Sequence, residues 1–288
     1  MRPRSALEPY VLMAPTALLL AVFFFYPLGF AAHQSLYEWD LLTPPRYVGL
    51  DNYRELWASG ELYRAFTTTF VFSVVVVAGS MLLGLGLALG LDRPGSFASF
   101  VRGAVFSAYV VSWVSVALLW LWLLDADAGA FTRLVRALGG PAIDWLGDPA
   151  YALYALAGVT IWKLAGYAMV LFIAGLQEIP KVLHEAAALD GANAIRRFTH
   201  VTWPLLRPTA AFVGTTSLIA SFQVFDVVRV MTQGGPVQAT TVFVYAIYEQ
   251  VFLDLRVGRA SSMVVVFFVL LLALTLLQLW VWQRKRGV

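Results

Sequence analysis

The feature that most constrains this chain is a series of apolar runs, each long enough to cross a lipid bilayer. A spanning helix needs about 20 such residues, at 1.5 Å rise across roughly 30 Å of hydrocarbon. Six stretches qualify: residues 10–32, 65–91, 103–124, 150–176, 205–231 and 261–282. Barrel strands alternate polar and apolar in segments of about 10 residues. Runs such as Val74-Val75-Val76-Val77 and Phe268-Val269-Leu270-Leu271-Leu272 do not alternate, so the spans are read as helices. The balance of the chain agrees: 60% of its 288 residues are hydrophobic and 13% are charged. Soluble domains carry roughly 25% charged residues, and surface-to-volume scaling forbids hiding so much apolar surface in one globule. Soluble-enzyme, nucleic-acid-binding and disordered readings fall together. The pI of 9.2 reflects a net charge of only +3, not a basic patch. No cysteine is present, which excludes a disulfide framework and thiolate metal sites. The expected fold is all-α, a polytopic membrane protein with six transmembrane helices in one domain over residues 1–288.

The first span follows Arg2 and Arg4, as a secretory leader would. Its apolar core exceeds the usual 7–15 residues, so it is expected to be a retained span. Orientation follows from Lys and Arg in the short connections. With the N-terminus inside, the inner segments hold Arg2, Arg4, Arg93, Arg102, Lys181, Arg196, Arg197, Arg207, Arg284, Lys285 and Arg286, eleven in all. The outer segments hold seven: Arg46, Arg54, Arg64, Arg133, Arg136, Arg256 and Arg259. Both termini are therefore expected in the cytoplasm, with Trp280, Trp282 and Arg284-Lys285-Arg286 as a closing interfacial anchor.

The outer connections are too short for a separate domain. Residues 33–64 should form an ordered turn with one short helix near 51–57, and residues 125–149 a helix near 132–138 broken by Gly139-Gly140-Pro141. The third contains Gly234-Gly235-Pro236, then an apolar and aromatic segment, 241–252, that could lie along the interface. Inside, residues 92–102 read as a short turn around Pro94-Gly95.

The inner segment 177–204 is much longer and reads as helical. Pro180 opens a first helix, because its missing N–H has no partner in a first turn. Asp190-Gly191 ends it, since glycine tolerates the positive φ of a helix stop, and a second helix runs up to Pro204. Ala186-Ala187-Ala188 present only methyls, so a partner backbone can approach closely, and Glu185 supplies one directed charge. Such a helix suits docking in another protein's cleft; an amphipathic helix resting on the membrane surface is the alternative.

The same segment carries a resemblance. Glu185-Ala186-Ala187, Gly191 three residues later, and Val201-Thr202-Trp203-Pro204 nine residues beyond resemble the Glu-Ala-Ala signature of the membrane subunits of bacterial ABC importers. Val201 and Trp203 stand where that pattern has Ile and Leu. Further likeness points to the carbohydrate-importer permeases of the maltose and glycerol-phosphate type. It is carried by Tyr26-Pro27, Val48-Gly49-Leu50-Asp51-Asn52-Tyr53, Ile161-Trp162-Lys163, Phe222-Gln223-Val224-Phe225-Asp226 and Met231-Thr232-Gln233-Gly234-Gly235-Pro236. The resemblance implies a type I ABC importer permease fold in the cytoplasmic membrane. It implies a sugar as cargo and Glu185, Ala186, Ala187, Asp190 and Gly191 as the part gripped by an ATPase. The implied partners are a second homologous permease subunit, usually in a heterodimer, two ATPase subunits and an extracytoplasmic sugar-binding protein.

No glycine-rich phosphate loop is present, and His33, His184 and His200 are scattered, so no catalytic residue, resident cofactor or metal site is expected. ATP and Mg belong to the partner ATPase. Ionisable groups inside spans cost about 2.5–3.5 kcal/mol each and are functional suspects. Asp226 and Arg229, three apart, can neutralise each other on one face. Asp226 and Gln223 can bond sugar hydroxyls while Phe222 stacks on a ring, so Phe222, Gln223 and Asp226 are candidate path residues. Lys163 joins them, with a structural contact between helices as its other reading. An ion-coupled secondary transporter acting without an ATPase is the competing function. It would need charged relays and internal repeats, and no convincing repeat is seen.

Overall fold

A computed structural model describes residues 8–141 and 143–285. The helices are α1 Glu8–Leu20, α2 Tyr26–Gln34, α3 Asp51–Ala58, α4 Glu61–Leu91, α5 Ser96–Val110, α6 Trp113–Leu123 and α7 Ala130–Ala137. There follow α8 Ala152–Gln177, α9 Lys181–Leu189, α10 Ala194–Arg197, α11 Trp203–Phe222, α12 Asp226–Met231, α13 Phe243–Tyr248 and α14 Val257–Lys285. Strands β1 Tyr37–Glu38 and β2 Arg46–Tyr47 form a small antiparallel hairpin, so the fold is not strictly all-α. The hairpin pairs Glu38 with Arg46 and Tyr37 with Tyr47; an ion pair of 2.6 Å and a ring contact of 5.4 Å hold it.

Among the described residues four uninterrupted helices are long and apolar enough to span: Tyr10–Gln34, Glu61–Leu91, Ala152–Gln177 and Val257–Leu276. The expected third span is instead a broken one. Helices α5 and α6 meet at 103° across Val111-Ser112, and together they make a fifth candidate. The expected fifth span, 205–231, breaks after Phe222, so Asp226 opens the separate short helix α12. Its first part carries Arg207, Pro208 and several hydroxyl residues, which make it less apolar than the other spans. The inner turn at 92–102 is also shorter than expected. Helix α5 starts at Ser96, and Arg102 donates from Nη1 to the Leu91 and Arg93 carbonyls at 2.7 and 3.2 Å, capping the end of α4. Arg2, Arg4 and Arg286, and the side chains of Trp280, Trp282, Arg284 and Lys285, lie outside the described residues.

The chain forms two compact units, one running up to Arg64 and resuming at Ala246, the other Ala65–Tyr245. In the first, α14 packs on α2, α3 and β1. Gly258 is required there, because any Cβ would run into the Tyr37 carbonyl. Asn52 donates to the Ser35 and Tyr37 carbonyls, both at 2.9 Å, closing the turn beneath. Arg259 is buried against Glu61 at 3.0 Å, with Glu55 at 3.7 Å and Ser59 Oγ at 3.1 Å.

In the second unit α8 is the central helix, packed by α5, α6, α11 and α12. Small residues allow backbones to approach where apolar side chains gain nothing by leaving lipid. A Cβ on Gly166 would lie 2.5 Å from the Val105 carbonyl oxygen, and one on Gly84 2.5 Å from the Ala168 methyl. Ala88, Ala168, Met169, Phe172, Leu206, Ala210 and Val213 form the buried core around these crossings.

Candidate functional site

Two places in the second unit carry candidate chemistry: the segment beyond α8, and the helix breaks inside the bundle. Pro180 precedes α9 with ψ 126°, and its carbonyl accepts the Leu183 N–H at 3.1 Å. At the other end Ala192 N–H donates to the Ala187 carbonyl at 2.9 Å and Gly191 N–H to that of Ala188 at 3.1 Å. That pair of bonds is a Schellman stop, which needs a left-handed residue between them. Gly191 supplies φ +76° and has nothing within 4 Å of where a Cβ would stand, so conformation alone demands glycine. Asn193 then starts α10, its Oδ1 accepting the Arg196 N–H at 2.9 Å. The second helix does not stop at Pro204. It passes through a π turn, Phe198–Thr202, into α11; the wider turn, with Trp203 N–H donating to the Phe198 carbonyl, accommodates Pro204, which has no N–H to give.

No residue of α9 is buried, and Leu189 and Ile195 are 90% and 74% exposed. Glu185, Ala186, Ala187, Asp190 and Gly191 thus stand together on one projecting knob. Its stems are rigid: α8 and α11 cross at Gly175, where a Cβ would lie 2.5 Å from Thr209 Oγ1 and 2.9 Å from Leu206. Gln177 adds a bond to Asp92 at 3.1 Å. Close contacts on both sides thus join α9 to the packed core.

Inside the bundle, Lys163 is 1% exposed. Its Nζ donates to the Ala108 and Tyr109 carbonyls at 3.1 Å each and to that of Val111, and lies 4.8 Å from the Trp113 ring centroid. A helix end leaves its last carbonyls without donors, and one ammonium has three N–H groups to give. Lys163 is the strut of the α5–α6 bend.

Phe222 is buried at the end of α11, Gln223 is exposed just past it, and Asp226 is half-buried at the start of α12. All three sit at one helix break. One turn earlier lies a cleft of about 220 Å³ lined by Tyr109, Leu164, Tyr167, Thr216, Ser217, Ile219 and Ala220. The Tyr109 and Tyr167 rings stack at 4.8 Å and 18°. Thr216 donates its proton to carbonyls of its own helix at 3.1 Å, which leaves its oxygen as an acceptor. The cleft is smaller than the ~300 Å³ of usual ligand pockets. Sequence reasoning missed it by ranking ionisable groups; the signal was Thr215-Thr216-Ser217 in an otherwise apolar span, with Tyr167 in mid-helix.

Helices of spanning length, a broken span, a mostly apolar cleft without charged side chains and an exposed helix beyond α8 suit a membrane permease. Residues 80–287 match the family described as "Binding-protein-dependent transport system inner membrane component". The chain is 32% identical over 286 residues to the sn-glycerol-3-phosphate transport system permease protein UgpA of Pectobacterium atrosepticum, covering 98% of this chain and 96% of that one. It is 34% identical to UgpA of Agrobacterium fabrum, over 94% and 92%. In structure it resembles a bacterial ABC transporter involved in the import of the acidic polysaccharide alginate, with TM-score 0.82, 23% identity and 96% and 94% coverage. A second likeness is to that transporter in complex with an alginate pentasaccharide-bound periplasmic protein, with TM-score 0.79, 23% identity and 93% and 91% coverage. The chain belongs to the binding-protein-dependent transport system inner membrane component family: it is a multi-pass permease subunit of an ABC importer, a transport component and not an enzyme.

Proposed function

We propose that this permease forms half of the path for a polyhydroxy, sugar-type substrate. It works with a second homologous permease, two ATPase subunits and an extracytoplasmic binding protein. ATP and Mg act in the ATPase, whose closure pulls on α9 through Glu185, Ala186, Ala187, Asp190 and Gly191. The chain crosses the cytoplasmic membrane six times, α11 being one crossing, with both termini on the ATPase side.

The observation that carries this reading is the knob itself: a helix with no buried residue, stopped sharply at Gly191 and mounted on two helices clamped at Gly175. A membrane-surface helix would not need such rigid stems. The substrate class rests on the cleft, whose tyrosine faces and hydroxyl oxygens suit a sugar ring and whose lining holds no charged side chain for a phosphate or carboxylate. Phe222, Gln223 and Asp226 extend the path from that cleft, and Lys163 serves it by holding the bend. The relatives' names give sn-glycerol-3-phosphate and the acidic polysaccharide alginate as neighbouring cargoes. Both carry hydroxyls, but both are anionic, so the likeness supports a polyhydroxy substrate and the uncharged lining sets this cleft apart from a site for their charged groups.

The test is uptake in vesicles from cells expressing the whole system, with ATP supplied and ion gradients collapsed. Persistent uptake, lost in Glu185→Lys, supports the proposal. Uptake that follows the gradient and ignores ATP overturns it in favour of a secondary carrier.

A further inference from the structure

Helix α7 plays no part in the reading above. At 100° per residue Phe131, Leu134 and Leu138 fall in one arc, while Arg133 and Arg136 fall on the far side. Thr132 is the only buried residue of α7. Its Oγ1 donates to the Asp125 carbonyl at 2.9 Å and accepts from Trp145 Nε1 at 3.2 Å, and the Phe131 ring lies 5.3 Å from that of Trp145. The helix is thus pinned along one edge and leaves its apolar arc uncovered: Phe131, Leu134 and Leu138 are 40%, 55% and 80% exposed.

Its place in the chain fixes its depth. It follows the end of α6 and precedes α8, a 26-residue helix that spans about 39 Å to the coupling segment on the other side. Trp122 and Tyr154, 63% and 55% exposed, mark the same ends of α6 and α8 with the aromatic groups that settle at a membrane interface. The helix carries no acidic residue; in the flanking loops Asp125 accepts from the backbone N–H groups of Asp127 and Ala128, Asp144 from Gly147 and Asp148 from Ala150. Among the described residues no carboxylate forms an ion pair with Arg133 or Arg136. Arg136 bonds the Ala126 carbonyl at 3.0 Å with one nitrogen and keeps its other donors, and Arg133 is exposed.

We propose that α7 is an interfacial anchor in the leaflet opposite the coupling segment. Phe131, Leu134 and Leu138 lie among the acyl chains, and Arg133 and Arg136 hold phospholipid phosphates. An amphipathic helix of this kind buries its apolar face roughly 5–10 Å into the headgroup boundary, and a guanidinium fork matches phosphate oxygens. Lipid is favoured over a soluble partner because the uncovered arc sits beside interfacial aromatics at a span end, where lipid is already present. The proposal needs only that α8 crosses the membrane, not the identity of the cargo.

The chain has no cysteine, so Leu134→Cys, Leu138→Cys and Arg133→Cys each give a single labelling site in it, the partner subunits being taken in cysteine-free form. In proteoliposomes of the assembled transporter, a bimane at 134 or 138 should lose roughly half its emission to phospholipids brominated near the headgroup end of the chain, and one at 133 should respond to aqueous iodide instead. A label at 134 that lipid does not quench overturns the proposal, whether iodide reaches it or a protein partner shields it from both. The Arg133→Gln/Arg136→Gln double variant should retain fewer phospholipids per complex in native mass spectrometry. Unchanged retention overturns the phosphate contact, and uptake by that variant reports separately on transport.

Discussion

Replacing Lys163 by Met keeps most of the side-chain length and removes all three N–H donors from the bend between α5 and α6. The carbonyls of Ala108, Tyr109 and Val111 are then left without Nζ, two of them having accepted at 3.1 Å. A buried polar group stripped of its partner costs about 1–3 kcal/mol, and the bonds lost here are charge-assisted. Removing the ammonium also removes its own desolvation penalty, which offsets part of the loss. The net is about 3 kcal/mol or more. In a domain of about 150–250 residues each kcal/mol moves the melting point by roughly 2–4 °C, so a clear fall is expected for the assembled complex in detergent. Lys163→Arg keeps the charge and should recover part of it. A melting point unchanged to within about 2 °C in Lys163→Met would refute the strut, since the carbonyls would then have other donors. A large change in substrate KM with unchanged melting would put the ammonium back in the path, where its span position alone had placed it.

The remaining expectations concern the knob, the helix crossings, the cleft and the outer acid cluster. Gly191→Pro, forced to φ near −65° where the chain needs +76°, should abolish uptake while the protein still inserts, measured by membrane fractionation. Gly166→Leu pushes against the Val105 and Phe106 backbone, which cannot yield as a side-chain tip would, and should lower the melting point by several degrees. Tyr167→Ala should weaken substrate handling, read as a raised KM or an altered ATPase stimulation, with little effect on melting. Burial, then Asp254 and Glu61, push the Glu249 carboxyl above its ordinary 4.5. The folded protein therefore holds that proton longer than the unfolded chain, and stability falls as pH rises from that ordinary value through the raised one. Glu249→Gln should flatten that slope in thermal melts taken across the acid range.

The parts of this molecule written in local chemistry were legible from the chain. Apolar runs announced the long helices, and Pro180 and Asp190-Gly191 announced both ends of α9, because single residues decide those features. Asp51 and the residues after it announced α3 in the same way. The breaks were not legible. Nothing in Val110-Val111-Ser112 stops a helix as proline would; the bend is held by Lys163, more than fifty residues away in sequence. The split after Phe222 has no proline or glycine to mark it either, and it moved Asp226 out of the long helix to which its apolar surroundings had assigned it. The hairpin at Tyr37–Glu38 was missed because two-residue strands have no periodicity to read. The cleft was missed because its tyrosines lie on helices far apart in the chain, Tyr109 and Tyr167, and only packing brings their rings to 4.8 Å.

The central claim is that α9 is the handle through which a separate ATPase moves this permease, and capture at that helix tests it most directly. A cysteine at Ala187, the only one in the chain, should be joined in membranes by a disulfide-containing bifunctional thiol reagent to a cysteine placed on an ATPase subunit encoded with the system, at a yield that changes when ATP is added. Uptake should stop when the crosslink forms and return on its reduction. Full uptake, with the cysteine reactive to small thiol reagents yet never capturing an ATPase, would contradict the account.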